Sequence, residues 1–222
     1  MQIFPLILCR GGSKGLPRKN IKLLNGKPLL SYILTEALKI FPEVYLSTED
    51  SEIAKIGREY GATIIERPLK LAQDKSKSID AVKHAQRFVK SDYVMLLNAC
   101  CPFTQAQDIK NVVDIAISEK PDSVVSLVED FSSHPSKVCN LIEGKVYPIN
   151  TAYSFETGER QKFSKTYKRN TAIYLASKAT IRKGSFFGKK NLGYVMSKEK
   201  SWDINDEWDW KIAELILKNE TT

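Results

Sequence analysis

The chain has 222 residues, of which 42% are hydrophobic and 27% are charged, the balance of one folded domain with a full core. Lysine and arginine number 34 against 26 acidic residues, and the formal net charge of +8 favours an anionic partner: nucleic acid, a membrane surface, or a nucleotide with an acidic substrate. No apolar stretch approaches the roughly 20 residues that span a bilayer, and the start, MQIFPLILCR, has no signal-peptide pattern, so we expect a cytoplasmic protein without a membrane partner.

Short apolar runs alternate with helix-period segments over the first 128 residues. Strands are predicted at IFPLILC (3–9), VYLST (44–48), TIIE (63–66), YVMLLN (93–98) and SVVSLV (123–128). Helices are predicted over residues 27–41, 50–61, 78–89 and 106–119, the second of them capped by Asp50 or Ser51. Strands that alternate with crossover helices indicate an α/β fold, a mostly parallel sheet with helices on both faces.

Ligands of such sheets bind beyond the carboxyl ends of the strands. This rule places four loops along one rim of the predicted sheet: residues 9–20, 48–51, 67–78 and 98–108. Pro5 lies inside the first strand and cannot donate a ladder hydrogen bond. We therefore expect it near the start of that strand or beside a free edge.

The alternation of strands and helices stops at about residue 129 and does not resume before about 190. This segment is richer in Ser, Lys, Gly and aromatic residues, and only TAIYLA (171–176) reads as a clear strand. We interpret 129–190 as an insertion or subdomain within a single domain of residues 1–222, one that flanks the site and could form an oligomer surface. The sequence DEWDWKIAELILK (206–218) then predicts a closing amphipathic helix.

The stretch LCRGGSKGLPRKN (8–20) ends the first predicted strand in a loop that has no acidic residue. Gly11, Gly12 and Gly15 let the backbone turn sharply and approach a ligand, and a strand-to-helix loop offers unpaired N–H groups that favour phosphate. Four cations could neutralise a polyphosphate and one hydroxyl could donate to it: Arg10, Lys14, Arg18, Lys19 and Ser13. Such a cluster would be electrostatically strained without an anion, so we prefer phosphate binding to a solvated basic turn. The pattern is neither the Walker loop nor G-x-G-x-x-G.

The four cysteines are Cys9, Cys100, Cys101 and Cys139. An adjacent pair makes a poor disulfide framework, and no spacing matches a C-x-x-C metal pair, so we expect reduced thiols. With no base identified near them, Cys100 and Cys101 are interpreted as small packing groups and not as nucleophiles.

The string RGGSKGLPRKN (10–20) resembles the signature of the acylneuraminate cytidylyltransferases, also called CMP-sialic acid synthetases, which activate nine-carbon sugar acids with CTP. Further segments match in the family's order: STEDSEIAKIGREYGA (47–62), RPLKLAQDKSKSID (67–80), HPSK (134–137), RQ (160–161), YKRNTAIY (167–174), FF (186–187) and WDIND (202–206). The resemblance implies a three-layer α/β sandwich of the nucleotide-diphospho-sugar transferase type, with the 129–190 segment as a small dimerisation subdomain of a homodimer.

The implied reaction is attack by the anomeric hydroxyl of a 2-keto sugar acid on the α-phosphorus of CTP, giving a CMP-sugar and pyrophosphate. Such a displacement needs charge neutralisation and alignment more than covalent chemistry. By resemblance, the nucleotide-binding residues are Arg10, Ser13, Lys14, Lys19, Asn20, Arg67 and Ser78. Lys19, with Arg10, is the catalytic candidate for stabilising the leaving pyrophosphate.

Magnesium is the implied cofactor, because a hard cation bridges phosphate oxygens and binds through one or two carboxylates. The family usually has Asp-Ile-Asp before the last helix, whereas this chain has Asp203-Ile204-Asn205. We expect Asp203 to be a catalytic metal ligand. Asn205 could bind the metal through its amide oxygen or cap the final helix, and Asp206 or Asp209 could supply the missing charge.

The sugar-binding residues that the resemblance implies are Asn98, Lys137, Arg160, Lys168, Asn170, Phe186 and Phe187. Asn98 replaces a glutamine, Thr104 an arginine and Lys168 another arginine of the family, so the sugar half departs more than the nucleotide half. The two phenylalanines could instead be a buried strand pair. We therefore expect a sialic acid-like nonulosonate that differs from N-acetylneuraminate, such as legionaminic or pseudaminic acid.

Three alternatives stay open at this point. A cytidylyltransferase for Kdo or amino-Kdo is disfavoured by the S-K-G-L-P-R-K-N string but not excluded. A nucleic-acid-binding protein would have aromatic residues among its cations, and residues 9–31 contain none, so we expect no nucleic-acid partner. A degenerate family member that binds CTP without turnover is conceivable because of Asn205.

Overall fold

The computed structural model describes residues 1–13, 15–150 and 164–220, and within them the chain forms a seven-stranded sheet and two short hairpins. In chain order the strands are β1 (Ile3–Leu8), β2 (Leu23–Leu24), β3 (Lys27–Pro28), β4 (Tyr45–Thr48), β5 (Thr63–Glu66), β6 (Tyr93–Leu97), β7 (Ser123–Glu129), β8 (Cys139–Ile142), β9 (Lys145–Pro148), β10 (Tyr167–Ser177) and β11 (Asn191–Met196). The helices are α1 (Leu29–Leu38), α2 (Ser51–Glu59), α3 (Ser78–Ala85), α4 (Ala106–Glu119), α5 (Lys178–Arg182) and α6 (Glu207–Glu220).

The sheet has the order β11-β7-β10-β6-β1-β4-β5 and is mostly parallel. Strand β10 is the exception, since it runs antiparallel to β6 and β7 on its two sides. Pro5 pairs in register with Met95 of β6, but pairing of β1 with β4 begins only at Leu6. Pro5 therefore lies where one side of β1 has no partner, as expected for a residue that cannot donate to a ladder.

Helices cover both faces of the sheet, which confirms the α/β sandwich. Alternation along β1 directs Leu6 and Ile7 to opposite faces, each into its own apolar cluster. The cluster around Ile7 contains side chains of α1, α2 and α4, and the cluster around Leu6 contains side chains of α3 and α5. All five residues of β6 are buried, as a strand with both faces covered requires.

A third apolar cluster lies at the end of the molecule near the first loop. It joins Leu16 of that loop to Ile204 and Trp210, with Leu24, Leu29, Phe103 and Ala213 completing it. Burial of these side chains fixes the first loop against the segment that precedes α6, which sets the distance between two parts of the predicted site.

The 129–190 segment is only in part separate from the sheet. Its strand β10 lies between β6 and β7, and the exposed hairpin β8–β9 forms a sheet of its own. The sequence pattern did not predict this hairpin, α5 or β11, because their alternation is short or mostly polar. The role of 129–190 as a dimerisation subdomain stays a prediction. Among the described residues, no helix is both long and apolar enough to cross a membrane.

Candidate active site

A cavity of about 460 Å³ opens beyond the carboxyl ends of β1 and β6. It collects the first loop, the segment that leads into α3, the turn after β6 and the segment before α6, on the rim where the sequence places the ligand. Of the residues predicted for the site, those that line it are Arg10, Ser13, Lys19, Asn20, Arg67, Ser78, Asn98 and Asn205. Lys14 and Arg160 lie outside the described residues.

Carboxylates that follow β4 hold the first loop. The Gly11 amide donates to Glu49 Oε1 at 2.7 Å, and the Arg18 guanidinium pairs with Asp50 and Glu52. Arg18 has a φ of 58°, a left-handed conformation. Hydrogen bonding from Arg18 holds the pKa of the Asp50 carboxyl below its usual range. The sequence pattern did not reveal these contacts. They indicate that Arg18 stabilises the conformation of the loop through Asp50 and Glu52.

The expectation that the loop is strained without an anion therefore needs correction. Besides the Arg18 pairs, Arg10 Nη1 lies 3.2 Å from Asp74 Oδ1. Part of the positive charge is neutralised within the protein by residues far along the chain. Arg10 is about one-third exposed and lines the cavity, so any anion bound there would compete with Asp74 for it.

Lys19 bridges the first loop and the segment before α6. Its Nζ donates to the Ile204 carbonyl oxygen at 2.6 Å while the side chain lines the cavity. The neighbouring Asn20 is buried, and its Nδ2 donates to the Arg10 carbonyl at 3.1 Å. Lys19 is thus positioned at the cavity, and Asn20 stabilises the backbone of the loop that carries Arg10.

Arg67 forms the buried floor of the site. Its Nε donates to Ser47 Oγ at 3.2 Å, and its Nη2 donates to the Cys9 and Ser47 carbonyls, which ties the ends of β1 and β4 together. Burial lowers the pKa of this guanidinium. Ser78 is the exposed first residue of α3 and lines the cavity, so the amino end of this helix lies at the cavity. Lys77, which sequence reasoning missed, lines the cavity beside it.

The Asp203 carboxylate has one fixed and one free oxygen. Thr171 Oγ1 donates to its Oδ2 at 3.0 Å, whereas its Oδ1 is buried without a hydrogen-bond partner. A buried, unpartnered carboxylate oxygen is a fitting ligand for a cation. Asp203 does not itself line the cavity, although Asn205 does. The Asp203 carboxylate suits a magnesium ion held by one carboxylate and by substrate phosphates, the arrangement that this ion commonly adopts.

The cap interpretation of Asn205 is wrong. Helix α6 is capped by Asp206, whose Oδ1 accepts from the amides of Trp208 and Asp209 at 2.9 Å each. The Asn205 side chain donates to the Asp203 carbonyl at 3.2 Å, and its own amide donates to Asp209 Oδ2 at 2.8 Å. Both carboxylates that could have replaced the missing one are therefore engaged, Asp206 with the helix and Asp209 with the loop.

Thr171 is a β-branched residue with a φ of 63°, at an irregularity in β10 where the register with β7 shifts. Such a residue rarely adopts the left-handed region, and local strain of this kind concentrates at functional sites. Its carbonyl accepts from Asn98 Nδ2 at 3.2 Å, and its hydroxyl reaches Asp203. The strained residue thus connects the predicted sugar residue Asn98 to the predicted metal ligand.

Of the predicted sugar residues that the structure describes, only Asn98 lines the cavity, and three of the others lie in β10 or before it. Lys168 Nζ pairs with Asp130 at 3.5 Å, and Lys137 Nζ lies 4.0 Å from the centre of the Phe131 ring. The third, Asn170, is buried, with its Oδ1 accepting from Ser126 Oγ and its Nδ2 donating to Ser201 Oγ. In this structure, therefore, Asn170 supports β10 through its own hydrogen bonds.

Phe186 and Phe187 lie in the loop after α5 and not in a strand, so the strand-pair alternative is wrong. Their ring centres lie 5.7 and 6.1 Å from that of Tyr174. Arg169 lies over the Phe187 ring at 5.2 Å. Sequence reasoning missed Arg169 and Tyr174, although both lie inside the quoted YKRNTAIY segment. It assigned sugar binding to the neighbouring Lys168 instead.

The thiols are all unpaired. Burial raises the pKa of the Cys9 thiol to about 12, and contact with Cys100 together with burial raises the pKa of the Cys101 thiol well above its ordinary value. A buried thiol with a raised pKa is a poor nucleophile. These values agree with the interpretation of Cys101 as a packing group in the absence of any ligand.

Comparison with known proteins identifies the family of the chain. The sequence matches the cytidylyltransferase family over residues 5–183. The N-acylneuraminate cytidylyltransferase A of Danio rerio is 33% identical over 215 residues, 96% of this chain and 50% of that protein. The post-translational flagellin modification protein B of Campylobacter coli is 28% identical over 229 residues, 99% of this chain and 96% of that protein. The chain spans about half the length of the N-acylneuraminate cytidylyltransferase from Danio rerio.

Solved structures share the fold. A CMP:2-keto-3-deoxy-manno-octonic acid synthetase complexed with CTP superimposes with a TM-score of 0.76, covering 99% of this chain and 100% of the other at 13% identity. The 4-diphosphocytidyl-2C-methyl-D-erythritol synthase of Anaerococcus prevotii gives a TM-score of 0.65 at 13% identity, covering 98% of each chain. At these sequence identities the likeness shows a shared fold and nothing about function. The family match runs from β1 through α5 and includes most of the segments that line the cavity, and the chain therefore belongs to the cytidylyltransferase family.

Proposed function

We propose that this protein transfers CMP from CTP to an acidic keto-sugar, a sialic acid-like nonulosonate, with release of pyrophosphate. One observation carries the proposal: the strand-end cavity gathers Arg10, Ser13 and Lys19 of a glycine-rich loop with the N-terminus of α3. Cations and the amino end of a helix around one cavity suit a triphosphate. The family match and the named relatives support a cytidine nucleotide.

The protein groups would act by neutralisation and alignment. The sugar's anomeric oxygen forms a bond to the α-phosphorus of CTP and loses its proton to solvent, as the bond to the bridging oxygen of pyrophosphate breaks. Lys19 and Arg10 would stabilise the charge that accumulates on the leaving pyrophosphate, because both reach the cavity from the loop that turns around the phosphates. Arg67 would hold the loop in place through its bonds to the ends of β1 and β4.

Magnesium is the proposed cofactor, and Asp203 would hold it through the oxygen that has no protein partner. Asn205 lines the cavity and could add a neutral amide ligand. When bound, the ion would neutralise phosphate charge. The Thr171 hydroxyl, which donates to the other oxygen, would keep Asp203 in one orientation.

The sugar would lie beside the nucleotide, against Asn98 and the aromatic group of Tyr174, Phe186 and Phe187. Its carboxylate requires a cation, and Arg169 lies over one of these rings while Lys168 is paired with Asp130. We therefore assign the sugar carboxylate to Arg169. The flagellin modification relative, of which this chain covers nearly all, supports a nonulosonate over Kdo.

We further propose a cytoplasmic homodimer. Hairpin β8–β9 exposes several apolar side chains, with Leu141 72% and Val146 53% exposed. Such a patch is typical of a surface that a partner covers. The four unpaired cysteines fit a reducing compartment. Sedimentation of the chain and of a Leu141→Lys variant tests the dimer, since a charge in a paired apolar surface should shift the equilibrium towards monomer.

The test of the reaction is pyrophosphate release from CTP and magnesium with a panel of neuraminic, legionaminic, pseudaminic, Kdo and amino-Kdo acids. Release with a nonulosonate, lost in Lys19→Ala and retained in Lys27→Ala, is expected. Lys27 is exposed and does not line the cavity. Its substitution by alanine removes the same charge as Lys19→Ala and therefore controls for net charge. Release only with Kdo-type acids would assign the alternative sugar. No pyrophosphate release with any sugar, together with release by the Asn205→Asp variant, would indicate a degenerate site.

A further inference from the structure

Three donor groups converge beside the nucleotide cavity, and nucleotidyl transfer uses only one of them. Among the described residues, Cys100 Sγ, Cys101 Sγ and an Asp203 carboxylate oxygen all lie within 4.8 Å of one another. Cys100 lines the cavity, whereas Cys101 is buried behind it. The group therefore has an inner side closed by protein and an outer side open to the cavity.

The backbone holds these donors together. The Ile204 amide donates to the Cys100 carbonyl at 2.9 Å, which fastens the segment before α6 to the turn after β6. The Cys101 amide donates to the Asn98 carbonyl at 3.2 Å within that turn. Because both segments are fixed by hydrogen bonds, the thiols and the carboxylate remain close without a ligand, so little ordering is required when one binds.

A second observation indicates a ligand. Asp203 Oδ1 is buried and has no hydrogen-bond partner, although a buried carboxylate oxygen normally has one. The other oxygen is fixed by Thr171 Oγ1, and that hydroxyl also lies 3.7 Å from Cys101 Sγ. The unpartnered oxygen thus belongs to a carboxylate whose orientation is already set next to the buried thiol.

The donor types select a particular class of cation. Thiolate sulfur prefers zinc, cadmium and cobalt to magnesium, which takes oxygen ligands. Zinc bonds of about 2.3 Å to sulfur and about 2.0–2.2 Å to a carboxylate oxygen place neighbouring ligands roughly 3.5–3.8 Å apart in a tetrahedron. The three observed donors, all within 4.8 Å of one another, need to approach by at most about 1 Å to reach that spacing.

We propose that Cys100, Cys101 and Asp203 form a binding site for a thiophilic divalent cation, with the fourth position open to the cavity. Binding replaces the two thiol protons by two metal–sulfur bonds, and the protons pass to solvent. The site does not depend on the proposed function, since cation binding requires neither CTP nor a sugar. If the proposed function also holds, the same cation competes with magnesium for Asp203.

The test is titration of the reduced, ligand-free protein with Co²⁺, followed by the thiolate-to-cobalt charge-transfer absorption. One equivalent per chain is expected to produce this band, and Zn²⁺ or Cd²⁺ should abolish it by displacement. Cys100→Ala should weaken cobalt binding by about 100-fold, since loss even of a group that only supports a ligand costs roughly 10- to 100-fold. Asp203→Asn should weaken it while leaving the sulfur band detectable at high cobalt concentration.

The matched control is Cys139→Ala, because Cys139 is exposed on hairpin β8–β9 and far along the chain from the site. It should leave the band unchanged. Cys101 is fully buried, so Cys101→Ser is informative only if its circular dichroism and melting temperature match those of the parent protein. If they do not match, the test rests on Cys100→Ala. Absence of the band, or a band that persists in Cys100→Ala and disappears in Cys139→Ala, would overturn the proposal. Neither result depends on pyrophosphate release.

Discussion

Gly15 and Asn205 pack in direct backbone contact, although 190 positions separate them in the sequence. A Cβ atom on Gly15 would lie 2.4 Å from the Asn205 carbonyl oxygen, well inside van der Waals contact. Four residues later, Lys19 Nζ donates to the adjoining Ile204 carbonyl. The proposed phosphate-binding loop and the proposed metal-binding segment are therefore assembled as one surface, and the lack of a side chain at Gly15 permits it.

The substitution Gly15→Ala should separate these two segments. Relief of the overlap requires the backbone to move, and overpacking of this kind costs about 1–3 kcal/mol. We expect kcat/KM for CTP to fall about 10- to 100-fold, because small displacements of aligned groups are costly in catalysis. Steady-state kinetics at saturating sugar measure the effect.

Gly12→Ala is the matched control for this prediction. It lies in the same loop, and a Cβ there would meet nothing within 4 Å. Its kinetics should remain within about twofold of the parent, in keeping with a surface substitution. Equal losses in the two variants would show that loop flexibility, and not the contact with Asn205, sets the activity.

The ion pair of Asp50 with Arg18 should contribute to stability in a pH-dependent way. Asp50→Asn preserves an N-cap for α2 but removes the charge, and since Arg18 is 41% exposed, the cost at neutral pH should be below about 1 kcal/mol. The folded-state pKa of Asp50 is lowered, so its contribution is complete above its ordinary value near 3.8 and is lost as the pH falls through the folded pKa.

Thermal unfolding of the two proteins between neutral pH and about pH 2 tests this relation. The difference in melting temperature should be constant above about pH 5 and should close as the pH falls below 3.8. A difference that widens on acidification would mean that Asp50 is not stabilised in its charged form. Glu52→Gln serves for comparison, as its more exposed carboxylate pairs with the same guanidinium.

Local pattern predicted the regular part of the fold well. The strand at 63–66 and the helix at 106–119 agree with β5 and α4 residue for residue, and Asp50 caps α2 as one of the two proposed residues. These elements have strong periodicity and clear boundaries. Strand β11 was not predicted because two of its six residues, Asn191 and Gly193, have low strand propensity.

The composition of the site was less predictable. The glycine-rich loop indicates phosphate through residues close together in sequence, whereas its counterions, Asp50 and Asp74, come from distant loops. The assignment of Lys168 illustrates the same limit. An irregularity in β10 between Arg169 and Tyr174 alters which residues share a face, and no local pattern shows where such an irregularity falls.

Arg169→Ala and Lys168→Ala distinguish the two candidate cations for the sugar carboxylate. Both residues are exposed on β10, and each substitution removes one positive charge. Arg169→Ala should raise KM for the sugar about tenfold or more with KM for CTP unchanged, because a charge-assisted bond of about 1.5–3 kcal/mol is lost. Lys168→Ala should change either constant less than about threefold, because its half-exposed ammonium is already paired with Asp130. The reverse pattern would restore the assignment that the sequence suggested.

Thr171→Gly should separate stability from activity. Glycine adopts a φ of 63° freely, which relieves about 1–2 kcal/mol of strain. The substitution also removes the hydrogen bond to Asp203, worth about 1 kcal/mol, and increases the conformational entropy of the unfolded chain. The melting temperature should therefore change little. The concentration of magnesium that gives half-maximal pyrophosphate release should rise about tenfold, because the Asp203 carboxylate loses the hydroxyl that orients it.

Thr171→Ser keeps the hydroxyl and should retain the magnesium dependence of the parent protein. The pair of variants thus isolates the hydroxyl from the backbone strain at one position. If the glycine variant kept the magnesium dependence of the parent protein, the bond from Thr171 Oγ1 to Asp203 would have no functional role.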